Sequence, residues 1–201
     1  MLEKKSASKQ PAHSKSTTLF HMAIAVLIVV QLASSEFMHK PKGRQPGNWL
    51  FEIHEYAGLT AFCLALLFFS SIFYRSIGTK PGLLFPWFSC AHLRSLWQDT
   101  QNHSKALLSM KVPAHTPSSP VICAFHGAGL LLVLGMGLTG SMWYLTTNFL
   151  TGANVLGHYA KETHEALSTF IWAYIIVHAS FGVLNQLLGR QKLAEMWSYK
   201  K

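Results

Sequence analysis

The chain has 201 residues, half of them hydrophobic and only 12% charged, and carries a formal net charge of +9. An ordinary soluble domain is nearer a quarter charged, so this composition argues against one. The length suits a single domain. The positive charge alone would suit nucleic acid, but its distribution along the chain argues for a membrane.

Apolar residues are gathered into four blocks, about 18–38, 50–74, 121–147 and 162–188, each long enough to cross a bilayer. The expected fold is all-α: an integral membrane four-helix bundle over 17–190, between cytoplasmic tails at 1–16 and 191–201. The first block follows a basic stretch and ends in LASSEF, which also fits a secretory signal peptide. Its length and its polar His21 favour a retained first helix. A short turn-like loop at 39–49, with Pro41, Gly43, Pro46, Gly47 and Asn48, leads to the second block.

The stretch from about 76 to 120 is the longest element outside the blocks. Its first half, KPGLLFPWFSCAHLRSLW, is too aromatic for a plain linker and reads as interfacial, with Trp87 and Trp97 at headgroup depth. Its second half, through KVPAHTPSSP, reads as irregular. The third block is rich in glycine, which suits close helix packing or room for a flat cofactor. A loop at 148–161 leads to the fourth block.

With the N-terminus inside, thirteen Lys and Arg residues fall on the cytoplasmic side, against Lys40, Lys42, Arg44 and Lys161 outside. That asymmetry obeys the positive-inside rule and puts both termini in the cytoplasm. Basic tails also suit anionic lipid headgroups. Neither CxxC nor CxxCH occurs, so a thiol redox pair and covalent c-type haem are not expected.

Imidazole is costly in hydrocarbon unless its nitrogens are used, so intramembrane histidines are functional candidates. His164 and His178 stand fourteen residues apart in the fourth block. At 3.6 residues per turn both leave one helix face, roughly 21 Å apart along the axis. Topology places His54 and His164 towards the outer surface and His21 and His178 towards the inner one. Two depth-matched pairs result, His21 with His178 and His54 with His164, each suited to the two axial positions of a b haem. The second ring nitrogen should meet a carbonyl or carboxylate.

A single metal ion could not join pairs so far apart. His126 has no partner in this scheme and reads as structural or as an inner-side contact to propionate or quinone. Gly58, one turn beyond His54, could clear a ring edge, while Glu55 and Glu165 read as rim carboxylates. His158 reads as outer surface.

The segments LFHMAI, EIHEYAG, AFHGAGLLLVLGMGLTG and THEALSTFIWAYIIVH together resemble the bacterial cytochrome b561 family, itself related to the cytochrome b subunits of hydrogenases. The resemblance covers about 17–190 and lies mainly in the order and spacing of the four histidines. It implies a four-helix protein of the bacterial inner membrane with two non-covalent b haems, ligated by His21 with His178 and His54 with His164. It also implies electron exchange with membrane quinone, and with superoxide or other acceptors. Met22 stands where the family often has tryptophan, Leu138 lies in a region where proline is common, and the 76–120 loop is long for the family.

The expected function is therefore transmembrane electron transfer through two bis-histidine haems, with lipid and quinone or quinol as partners and no nucleic acid. The alternative is a haem-bearing membrane anchor of a peripheral dehydrogenase or hydrogenase, with a redox protein docking on the 76–120 loop or the outer rim.

Overall fold

A computed structural model describes residues 14–42, 45–111, 116, 118–150 and 154–189. Most of the two expected tails therefore lies outside the described residues. Helices run over Lys15–Phe37 (α1), Trp49–Tyr74 (α2), Pro81–Leu84 (α3), Cys90–Leu108 (α4), Pro120–Asn148 (α5) and Asn154–Leu187 (α6), with a 3₁₀ turn at Pro86–Phe88. Four of them, α1, α2, α5 and α6, are long and apolar enough to span a membrane. The fold is all-α. We call the end bearing Lys15 and Arg75 inner and the other outer, after the sidedness expected from charge.

Helices α1, α2 and α5 start where the sequence supplies a cap. The Ser14 hydroxyl accepts from the Thr17 amide, and Asn48 Oδ1 accepts from the Phe51 amide at 3.1 Å. Ser119 caps α5 ahead of Pro120, whose missing N–H is no loss at a first helical position. Helix α1 packs on α2, α2 on α5, and α5 on α6. The residues between helices are small, as close membrane packing requires: Ala65 is wholly buried and Ala61 nearly so. Leu66, Leu67, Leu131, Phe170 and Ile176 point outward, as a lipid-facing surface does.

Two loop expectations change. The outer loop ends by residue 153, because α6 begins at Asn154 rather than near 162. The eight residues gained include His158 and Lys161, too polar for a hydropathy block to reveal. Gly157 permits the extension, since a Cβ there would lie 2.6 Å from Thr146 Oγ1 on α5.

The inner segment, expected as an interfacial stretch followed by an irregular half, is helical through Leu108, while 112–115 and 117 lie outside the described residues. Leu84 and Phe85 turn into the bundle against Ile72, Phe69 and Leu130, while Trp87, Phe88 and Trp97 stay exposed. Gly127 receives this cap: a Cβ on it would lie 1.9 Å from the Leu84 carbonyl oxygen.

Helix α4 follows and is tied to the start of α5 by Asp99. Its carboxylate accepts from Ser119 Oγ at 2.5 Å and from the Val121 amide at 3.1 Å, with His103 at 3.3 Å. Burial alone would raise the Asp99 pKa; the hydrogen bonds from Ser119 and Val121, with His103, outweigh it and hold the carboxyl below its ordinary value.

Candidate functional site

The four histidines come from three helices: His21 from α1, His54 from α2, and His164 and His178 from α6. The structure brings them together two by two. The His54 and His164 rings lie 6.3 Å apart between centroids with planes at 85°. The His21 and His178 rings lie 6.3 Å apart at 48°.

In the outer pair, both imidazoles are held from behind. His54 Nδ1 is 3.2 Å from the Gln31 carbonyl oxygen and 3.1 Å from Ser34 Oγ. His164 Nδ1 is 3.0 Å from the Met136 carbonyl and 3.2 Å from Thr139 Oγ1. A carbonyl can only accept, so the proton of each neutral ring belongs on Nδ1 and the lone pair on Nε2. Such support fixes the orientation of a ligating histidine.

Gln31 is used twice, because its Nε2 donates to the His54 carbonyl at 2.6 Å. Gly58, expected to clear a cofactor edge, gives room to this same side chain: a Cβ there would lie 3.2 Å from Gln31 Oε1. Gly140 gives room to the His164 ring, whose Cε1 a Cβ would approach to 3.1 Å, and lines the adjoining cavity together with Gly58.

A cavity of about 300 Å³ adjoins the outer pair, walled by all four spanning helices. Its deep walls are apolar, from Ile28, Phe62 and Val133, and its mouth carries Lys40 and Lys161. Ser141 Oγ lines it, buried and without a hydrogen-bond partner among the described residues. Glu165, read from sequence as a rim carboxylate, is paired with both Lys40 and Lys161.

The inner pair is set in aromatic rings instead. His178 stacks on Tyr174 with centroids 5.5 Å apart, and Tyr174 stacks on Phe125 at 4.7 Å. A Cβ on Gly129 would lie 2.0 Å from Tyr174 Cζ, so that glycine admits the stack.

His126, left without a partner by sequence, stands edge-on to His178 at 5.2 Å, its Nδ1 2.7 Å from the Ile122 carbonyl. Its inner-side depth agrees with the sequence reading; its contact with His178 is what depth alone did not give. His158 is exposed beside Tyr159. Among the described residues, no three or more His, Cys, Asp or Glu side chains gather to hold a metal ion.

Four long apolar helices that oppose imidazoles at two depths define an all-α, multi-pass membrane protein. The family model of prokaryotic cytochrome b561 matches residues 12–199, most of the chain. The chain belongs to that family. Membership supports haem-mediated electron transfer across a membrane, and with the four apolar helices it supports a multi-pass location in the bacterial inner membrane. No curated protein and no solved structure matches the chain.

Proposed function

We propose that this protein carries electrons across the inner membrane with two b haems, one held by His54 and His164 and one by His21 and His178. The observation that carries the reading is the ring spacing. Two imidazoles bound to opposite sides of one iron have centres about 6 Å apart, given metal–nitrogen bonds of about 2 Å and roughly 1.1 Å from nitrogen to ring centre. Both pairs stand at 6.3 Å. Pairs rather than larger clusters suit this cofactor, because the porphyrin supplies the other four nitrogens.

Haem, when bound, would supply a reversible one-electron couple, and ligation by two histidines of each pair would suit it to carrying electrons rather than binding oxygen. The chain's residues do the rest. Carbonyls of Gln31 and Met136 hold the outer rings in the ligating tautomer. Tyr174 and Phe125 fix His178 by stacking. The apolar cavity walls exclude water and the orphaned Ser141 hydroxyl offers a hydrogen bond inside. His126 sits where it can contact a quinone or pass a proton at the inner end, facing the cytoplasm along with both termini. Lys40 and Lys161 at the outer mouth favour an anionic donor, of which superoxide is the smallest.

Exposed Trp97 and Phe88 on the inner cap favour a second reading, in which the cap docks a redox subunit and the chain serves as its haem-bearing anchor.

The purified protein should yield about two haems per chain in a pyridine haemochrome assay. His164→Ala and His178→Ala should each remove one, with different reduced spectra. Full haem content in both variants would defeat the ligand assignment.

A further inference from the structure

Arg75 ends α2 at the inner side of the bundle. Its guanidinium is half-buried yet meets only neutral partners: Nη1 donates to Thr17 Oγ1 at 3.1 Å and Nη2 to the Thr79 carbonyl at 2.9 Å. Its Nε is buried with no hydrogen-bond partner among the described residues. No ion pair among those residues includes it. The one acid described near this end, Asp99, is committed to Ser119 and Val121. A cation drawn out of water without an anion is unfavourable, and burial pushes the Arg75 guanidinium below its ordinary pKa.

The position suggests what the missing anion is. Thr17 precedes His21 by one helical turn on the same face of α1, which sets the Arg75 hand about 6 Å of axial rise to the inner side of His21. The guanidinium lies over Phe68, 5.8 Å from its centroid, and Phe68 packs on Phe20, the neighbour of His21.

We propose that Arg75 is the anion anchor of the inner site and binds a propionate carboxylate of the haem held by His21 and His178. This rests on the two-haem reading above. A guanidinium matches a planar carboxylate with parallel N–H donors, and here Nε is the donor left over. Arg75 acts as a positioning residue, holding the group that His21 and His178 ligate. The same chemistry would also take a lipid phosphate, so the test must separate the two sources.

The test compares the purified full-length haem protein with Arg75→Gln and Arg75→Lys variants, each carrying haem labelled with ¹³C in the propionate carboxyl groups. Redox-difference infrared spectra and spectroelectrochemical titration are recorded on each. Both variants should keep about two haems per chain. Arg75→Gln should shift the label-sensitive carboxylate bands and lower the midpoint potential of the haem lost in His178→Ala, because removing a nearby cation disfavours the less positive reduced iron. Arg75→Lys should restore part of both effects, and the outer haem should not move.

Identical label-sensitive bands in wild type and Arg75→Gln would overturn the proposal. So would a change confined to phosphate bands and bound anionic lipid, which would assign Arg75 to the headgroup. If Arg75→Gln does not fold, Arg75→Lys against wild type decides by the same bands. A wild type without two haems would instead sink the two-haem reading, and the haemochrome count tells that failure apart.

Discussion

The two histidine pairs share one spacing and are built by different means. The outer rings are held by hydrogen bonds that their Nδ1–H groups donate to carbonyls of α1 and α5, with hydroxyls of the same helices alongside. Beside them lies a cavity lined at its mouth by Lys40, Lys161 and Glu165, the carboxylate pairing with both lysines. The inner His178 is held by stacked aromatic rings, with a third imidazole at its edge and the α3–α4 cap below. Directional bonds fix a tautomer, whereas stacking fixes a plane and leaves the nitrogen chemistry to neighbours. The outer site is therefore the more specified of the two, and the inner site has more groups able to interact with a partner.

That contrast can be broken from either side. Gly140→Leu places a side chain against the His164 ring, where even a Cβ would come within 3.1 Å of Cε1. Gly129→Leu drives into Tyr174, whose ring a Cβ would meet at 2.0 Å. Displacing the support of a ligating histidine weakens metal affinity about 10- to 100-fold. Gly140→Leu should therefore lose the outer haem and keep the inner, and Gly129→Leu the reverse, as read from haem content and reduced spectra. Loss of both haems in either variant would mean that the two sites are not independent.

The next effect is confined to the inner end. Asp99→Asn removes the charge that ties α4 to α5, and should raise amide exchange over 90–108 while leaving the outer haem spectrum intact. The pH dependence has a definite sign. The Asp99 pKa is lower folded than unfolded, so its contribution is present above the ordinary carboxylate value of about 4. It is lost as pH falls through the depressed folded value. Acid should therefore release α4 in wild type and leave Asp99→Asn unchanged. Equal acid release in both would assign the dependence to another group.

Much of this contrast was legible in the sequence, and the remainder was hidden for identifiable reasons. Four apolar blocks located the spanning helices because hydropathy over some twenty residues is an additive signal. The fourteen-residue interval on one helix, read with the charge asymmetry, placed His21 beside His178 and His54 beside His164. Helix α4 was missed because its apolar residues, Leu93, Leu96, Trp97, Leu107 and Leu108, are interleaved with polar ones and form no block. The early start of α6 was missed for the same reason. The roles of Gln31, Gly140 and Gly129 depend on which side chain lies across the interface, and a single helix carries no record of its neighbour's register. His126 was read as structural or as an inner-side contact, but its approach to His178 was not legible, since depth alone does not say which face of α5 meets α6.

The smallest expected effect tests whether the outer mouth belongs to the rigid part of its site. Glu165 pairs with Lys40 and Lys161, all of them substantially exposed. Exposed pairs of this kind contribute about 0–1 kcal/mol and are screened by salt. Glu165→Gln should shift thermal unfolding by no more than that at low ionic strength, with the difference vanishing at high salt and the outer haem retained. A larger, salt-resistant loss, or loss of the outer haem, would mean that Glu165 fixes the position of Lys40 and Lys161 over the cavity. The outer site's specification would then reach from its buried carbonyls to its surface.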